Sequence, residues 1–261
     1  MAAVEKGDAK EVAERIRHPP PRFKVNKGQD RDWRALLHHA CRESSRSAVV
    51  PVFLAHPDIN VNVKDKNGWT PFNFACLYGA TSCVRELLKD SRVKVNEPAT
   101  NGYAPLLNAA RDGHLDVIRW WLASGRDIDL GKPGDIFFTD AIAAAKNYGR
   151  KEVVSLLERF KSDATQTRRA MRLELGWYDE AAAEVFALVV FVSDGLLQIN
   201  DTTSTPAARF FSIGRRLPLE LQMMLCFRQV GSDKEIIPGK ESEVAFKELT
   251  RRLLWSSVFT N

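Results

Sequence analysis

The sequence predicts an all-α protein: a stacked solenoid of about five helix–turn–helix repeats over residues 1–162, then an all-helical domain over residues 163–261. Three observations carry this. The segment from Asn67 to Cys76 returns 34 residues later, from Asn101 to Ala110, with the glycine, the proline, an apolar residue and a small pair in register. Each copy runs into a second apolar segment, Cys83–Leu88 and Val117–Leu122, and then into an extended piece, Val93–Asn96 and Asp127–Leu130. Beyond residue 162 the repeat fades, while helix signals continue at Thr165–Leu175, Tyr178–Val192, Pro206, Pro218 and Glu241.

The punctuation of the two strong copies has a physical reading. Gly68 and Gly102 permit the positive φ of a tight hairpin turn. Pro71 and Pro105 stand where a helix begins and a missing N–H costs nothing. Gly79 and Gly113 break the chain between the two helices, and the small pairs let neighbouring helices approach closely. Weaker copies flank them. Asp30–Cys41 lacks the turn glycine and the proline, Thr139–Leu157 is degenerate at its start, and Val4–Val12 reads as the helix pair of a capping unit. A lone helix pair cannot bury its apolar face, so the copies are expected to stack. His18–Arg22, with three prolines, replaces a hairpin and reads as a rigid connector.

Gly68–Gly79 and Gly102–His114 resemble the ankyrin-repeat signature Gly-x-Thr-Pro-Leu-His-x-Ala-Ala followed by Gly-His. Asn73 and Leu107 stand where the family has its histidine, and His38 keeps it in the earlier copy. The resemblance implies a protein-binding scaffold whose hairpin tips and first helices line a concave groove. It also implies that His38 makes interhelical and loop hydrogen bonds. Carried over by position, the columns beside the turn read Arg34, Trp69, Tyr103 and Thr139 after it, and Arg31, Asp32, Lys66, Asn67, Thr100 and Asn101 before it. The exposed ends of the first helices give Arg42, Glu43, Leu77, Tyr78, Arg111, Asp112, Asn147 and Tyr148. From these, Trp69, Tyr78, Tyr103 and Tyr148 are expected as anchors, with Arg34, Arg111, Lys66, Asn67 and Asp112 as polar partners, because aromatic and arginine side chains dominate binding hot spots. The alternative for Trp69 and Tyr103 is that they cover their own hairpins.

Composition narrows the function classes. Of the 261 residues 44% are apolar, enough for a substantial core, and 27% are charged, as in ordinary folded chains. The net charge of +5 is spread among interleaved acids and bases, which fits a solvated surface better than a nucleic-acid footprint. The charged start, Met1–Asp8, has no apolar core of a secretory signal, and Ala181–Val192 is too short to span a bilayer. With four cysteines in no metal-type spacing, the expectation is an intracellular chain, cytoplasmic with the nucleus as the alternative, and with no cofactor, no metal and no membrane or nucleic-acid partner. Cys41 and Cys76 share one repeat position and read as core, as does Cys83. The adjacent His38 and His39 point to different sides of a helix. No nucleophile elbow, phosphate loop, paired-histidine metal motif or dinucleotide fingerprint occurs, so no catalytic residue is nominated and the chain is read as non-enzymatic. Trp120 and Trp121 are expected to pack, with Trp121 half-exposed.

In the last third, Phe210, Phe211, Leu219, Leu221, Met223, Met224, Leu225, Phe246, Leu249, Leu253 and Leu254 are expected to form a core. Leu217, Pro218, Glu220, Leu221 and Leu225 resemble the F-box pattern Leu-Pro-x-Glu-Ile/Leu, which implies recruitment of the Skp adaptor of a cullin ubiquitin ligase. The loop Gly231–Gly239 departs from that pattern, and Leu-Pro-x-Glu is also a generic helix start. The tail is similar as well to those of uncharacterised fungal ankyrin proteins, which implies no function.

Overall fold

A computed structural model describes residues 1–19, 24–28, 30–132, 140–197 and 205–259, with side chains through residue 250. Among these residues all regular structure is helical. Two compact units emerge, Met1–Met171 with Trp255–Asn261, and Arg172–Leu254.

The first unit holds five helix pairs: α1 (Ala2–Glu5) with α2 (Ala9–Arg17), α3 (Leu36–Ala40) with α4 (Val50–Leu54), α5 (Pro71–Leu77) with α6 (Thr81–Lys89), α7 (Pro105–Asp112) with α8 (Leu115–Ser124), and α9 (Ala141–Asn147) with α10 (Lys151–Ser162). A 3-10 turn, Ser44–Val49, leads into α4. The prolines open α5 and α7 as their position requires. Thr70 caps α5 by accepting from Asn73 N at 3.2 Å. Side chains fully withdrawn from water run through all but the first pair, among them Phe53, Phe72, Leu87, Leu106, Ile118, Trp121 and Leu157. Each contributes roughly 1.5–3 kcal/mol of burial.

Three polar ladders set the stacking. Hairpin meets hairpin through Lys66 N donating to the Asp32 carbonyl (2.9 Å) and Thr100 N to that of Asn67 (3.0 Å). In the loops after the second helices, Asn26, Asn62 and Asn96 each reach one repeat forward. Asn62, for example, donates to the Arg92 carbonyl (2.8 Å) and accepts from Lys94 N (2.8 Å). Arginines reach back: Arg92 donates to the Leu54 carbonyl (2.7 Å), and Arg126 to those of Leu88, Asp90 and Val93. Arg168, on α11 (Ala164–Glu174), does the same to Leu122 (3.0 Å) and Arg126 (2.9 Å). Each guanidinium thereby brings donors to carbonyls at or just beyond the end of the preceding second helix, where intrahelical N–H partners run out.

The second unit packs α12 (Trp177–Ser193) on α14 (Leu219–Gln229), with α13 (Pro206–Gly214) and the part of α15 (Gly239–Phe259) up to Leu254 beside them. Its core is Ala182, Ala183, Phe186, Ala187 and Val189 of α12 with Cys226, Phe227, Ile237 and Ala245, flanked by Phe210, Phe211, Met223, Phe246 and Leu249. The alanines let the helices close in, and Phe191 stacks on Phe246 at 6.0 Å.

Several expectations are corrected. Trp121 is fully buried, and Trp120 instead is the half-buried one, with the Arg85 guanidinium 3.8 Å from its ring centre. Leu219 and Leu221 are 54% and 45% exposed, because α14 turns Gln222, Cys226 and Phe227 inward. Pro218, a helix signal in the sequence, stands at the N-cap of α14, one residue before its first turn. Pro20–Arg22 and Thr139 lie outside the described residues, as do the side chains of Leu253 and Leu254.

Candidate partner-binding surface

The face made by the hairpin tips and first helices is built on a turn that recurs. Asp30 Oδ1 accepts from the N–H groups of Asp32 (2.9 Å) and Arg34 (3.0 Å), and Asp65 Oδ1 accepts from those of Asn67 and Trp69 (both 2.9 Å). Arg34 bridges the two turns, with ion pairs to Asp30 (3.7 Å), Asp32 (3.0 Å) and Asp65 (3.8 Å) and its guanidinium 5.3 Å from the Phe74 ring centre. Lys66 is paired with Asp32. Arg34 and Lys66 are therefore engaged within the scaffold. Asn67 is exposed, and Trp69 is half-buried, edge-on to Phe74 at 6.2 Å.

His38 locks the second pair to the third. Its Nδ1 accepts from Ala35 N (3.0 Å), which leaves Nε2–H to donate to the Trp69 carbonyl (2.9 Å). Asn73, at the same position one repeat on, donates through Nδ2 to the Glu97 carbonyl (2.9 Å), a loop carbonyl six residues before Tyr103, the repeat equivalent of Trp69. Burial holds the His38 imidazole below its ordinary pKa of 6.5, against the opposing pull of the Trp69 carbonyl and Asp65. His39 is shifted the same way, again by burial first, with Asp30 opposing. His39 Nε2 lies 3.3 Å from Asp30 Oδ2 but outside hydrogen-bond geometry.

The sign of the pH effect follows. Below 6.5 the unfolded chain takes up protons that buried His38 refuses, so stability is full above 6.5 and falls as pH drops towards the lowered native value. The loss approaches about 1.4 kcal/mol per pH unit per histidine. Replacing His38 with Asn, the residue already used at position 73, is expected to flatten part of the fall between neutral and mildly acidic pH. Urea titrations at two pH values measure it, and an unchanged slope would refute it.

The exposed aromatics lie further along the face. Tyr78, 44% exposed, has the Arg42 guanidinium 5.1 Å from its ring centre. Tyr103, Leu107 and Arg111 of the fourth helix pair and Ala144, Asn147 and Tyr148 of the fifth enclose a cavity of about 300 Å³. Tyr148 is 59% exposed. Arg111 is held by a two-point pair to Asp112 (2.8 and 3.0 Å) and lies 5.8 Å from the Tyr103 ring centre. Leu107 and Ala144 give this pocket an apolar floor between two phenol rings.

One exposed aromatic escaped the sequence reading. Trp33 takes the place of the turn glycine in the weak second copy, at φ +60° and 68% exposed. A left-handed backbone costs a non-glycine residue about 1–2 kcal/mol. The signal was a tryptophan in a column where the other copies have glycine. Elsewhere, Cys41, Cys76 and Cys83 are buried; burial pushes all three thiols up, Cys83 to about 12, which suits packing and not nucleophilic chemistry. Among the described residues no three His, Cys, Asp or Glu side chains are grouped to hold a metal ion. In the second unit, Pro218, Glu220 and Leu221 are exposed, while Leu225 and Leu217 are half-buried, the Leu217 carbonyl accepting from Gln222 Nε2 (2.9 Å).

Stacked helix pairs that present side chains from successive repeats along one face define the class: a solenoid scaffold for protein–protein contact. A sequence model of ankyrin repeats (3 copies) matches residues 1–97 and 37–132, and the chain belongs to the ankyrin-repeat family. Relatives include the "SMC5-SMC6 complex localization factor protein 1" of Bos taurus, 36% identical over 94 residues, which are 36% of this chain and 9% of that protein. The "Transient receptor potential cation channel subfamily A member 1" of Homo sapiens is 33% identical over 100 residues, 37% of this chain and 9% of the relative. The "E3 ubiquitin-protein ligase KEG" of Arabidopsis thaliana is 32% identical over 101 residues, 38% of this chain and 6% of the relative. The chain thus matches only a small part of each longer protein. No described helix is long and apolar enough to cross a membrane.

Proposed function

We propose that the chain is a non-enzymatic adaptor that holds a partner protein on the face of its hairpin tips and first helices. One observation carries this reading: Tyr103, Arg111 and Tyr148, nominated separately from repeat position, line a single pocket between two repeats. Aromatic and arginine side chains around a small apolar hollow are the composition of binding hot spots. Among the relatives, one is by its name a complex localization factor. Positioning one assembly against another is work that a scaffold without chemistry of its own performs.

Truncating Tyr148 to alanine is expected to weaken capture of the partner about 10- to 100-fold, the range of a hot-spot residue. Because the ring is 59% exposed, helix content and thermal midpoint should stay close to wild type. Affinity capture on the full chain, quantified by mass spectrometry beside circular dichroism, tests this. Equal recovery of every partner by the two proteins would defeat the proposal.

A second reading, recruitment of a ubiquitin-ligase adaptor by Leu217, Pro218, Glu220, Leu221 and Leu225, draws support from the exposure of Leu219 and Leu221 at the start of α14. Skp adaptor recovered with wild type and lost with Pro218→Arg/Leu221→Arg would sustain it. No recovery with wild type would end it.

A further inference from the structure

We infer that the partner element seated at the Tyr103–Tyr148 pocket is an acidic peptide segment carrying an aromatic anchor, its ring in the pocket and its carboxylates on an adjoining basic hollow. This rests on the adaptor reading of the same face.

The pocket selects a neutral, flat side chain. At about 300 Å³ it is at the small end of ligand cavities. Its floor, Leu107 and Ala144, offers nothing to a charge, and its two phenol rings suit edge or face contact with a third ring. Arg111 at its rim already has a carboxylate partner in Asp112, so the anchor need not bring one.

The turn that closes α9 separates this pocket from a second hollow. Asn147 and Tyr148 line the first; Lys146, Gly149, Arg150, Lys151, Glu158 and Arg159 are among those lining the second, of about 620 Å³. Its single acid, Glu158, is matched by Lys146 at 2.7 Å. Lys151 and Arg159 are exposed and have no ion-pair partner among the described residues; Glu152, on the same helix, does not line the hollow. Arg150 joins the two sites. Its Nε donates to the Arg111 carbonyl (3.1 Å), and its stem lies so close over Gly113 that a Cβ there would come within 2.8 Å of it. The Arg150 guanidinium thus stands at the border of the two sites, bonded to the Arg111 carbonyl. Three cations, Arg150, Lys151 and Arg159, with no ion-pair partner among the described residues and beside an apolar, ring-lined pocket are complementary to an aromatic residue followed or preceded by aspartates and glutamates.

The test is selection of randomised peptides displayed on phage against the full chain, with enriched sequences synthesised and titrated by fluorescence anisotropy. Enrichment of an aromatic residue flanked by several acids is expected. Lys151→Glu/Arg159→Glu should then weaken binding about 10-fold or more, and most at low salt. Tyr148→Ala should weaken it by a similar factor at every salt concentration. Peptides sensitive to Tyr148→Ala but free of acids and indifferent to the charge reversals would overturn this inference and leave the adaptor reading standing. Peptides indifferent to both Tyr148→Ala and Tyr103→Ala would overturn the face itself. Absence of any enriched peptide, or a labelled DNA duplex that outcompetes the peptides and is lost on charge reversal, would also overturn the acidic segment.

Discussion

Replacing Trp121 with alanine is expected to remove about 3–5 kcal/mol of stability, the cost of emptying a fully buried indole site. The side chain has no exposed surface. It sits edge-on to Phe72 of α5 at 5.0 Å, so one ring ties α8 to the preceding repeat. Its Nε1–H donates to the Asp127 carbonyl (3.1 Å) and thereby holds the turn after α8. In a stack where each repeat touches only its neighbours, loss of such a contact weakens an interface as well as a core. Urea unfolding followed by circular dichroism measures it. A loss below about 1 kcal/mol would show that the cavity collapses and that the ring is not the tie described.

Gly68→Ala is the second large effect, expected at about 2–4 kcal/mol. Gly68 has φ +78°, where any Cβ costs about 1–2 kcal/mol. A Cβ there would also stand 2.4 Å from Thr100 Oγ1 and 2.8 Å from Thr100 N. The hydroxyl can rotate away, but the backbone N–H cannot, because it donates to the Asn67 carbonyl in the ladder between hairpins. Gly102 supplies the control. Its φ is +80°, and among the described residues a Cβ there would meet nothing within 4 Å, so Gly102→Ala is expected to cost less than Gly68→Ala. Equal losses for the two variants would show that hairpin contact contributes nothing.

The repeat architecture was legible because its signals are local. Gly68, Pro71, Gly79 and their partners 34 residues on act through their own φ angles and missing N–H groups, and these need no distant contact to be read. The replacement of the family histidine by Asn73 was legible too, but that its amide bonds the Glu97 carbonyl was not. The ladder of Asn26, Asn62 and Asn96 was also present in the chain, each asparagine preceded by a valine at repeat spacing, but its meaning depends on the loop of the next repeat. The arginine ladder is harder to see. Arg92, Arg126 and Arg168 bond to carbonyls that are defined only once the second helices are stacked.

The binding face divides in the same way. Repeat position alone nominated Tyr78, Tyr103, Arg111 and Tyr148, and it nominated Arg34 and Lys66 with equal weight. Position cannot say which arginine is engaged. Arg34 bridges three carboxylates of two adjacent turns, and Lys66 meets Asp32, because neighbouring hairpins bring those acids within reach. Likewise Trp121 and Trp120 are adjacent on one helix, and only the packing of α8 against α5 and α6 decides which ring is enclosed.

By itself, then, the sequence determined the all-helical class, the number and register of the helix pairs and the face on which partners are expected, because each follows from residue-level conformational preferences repeated at a fixed interval. The tertiary structure alone decided which side chains of that face are spent on the scaffold. It also decided that Tyr103 and Tyr148 share one pocket, and that Arg150 reaches the Arg111 carbonyl beside it. Those outcomes depend on distances between residues of different repeats, which the rise and rotation of the stack set and no single repeat contains.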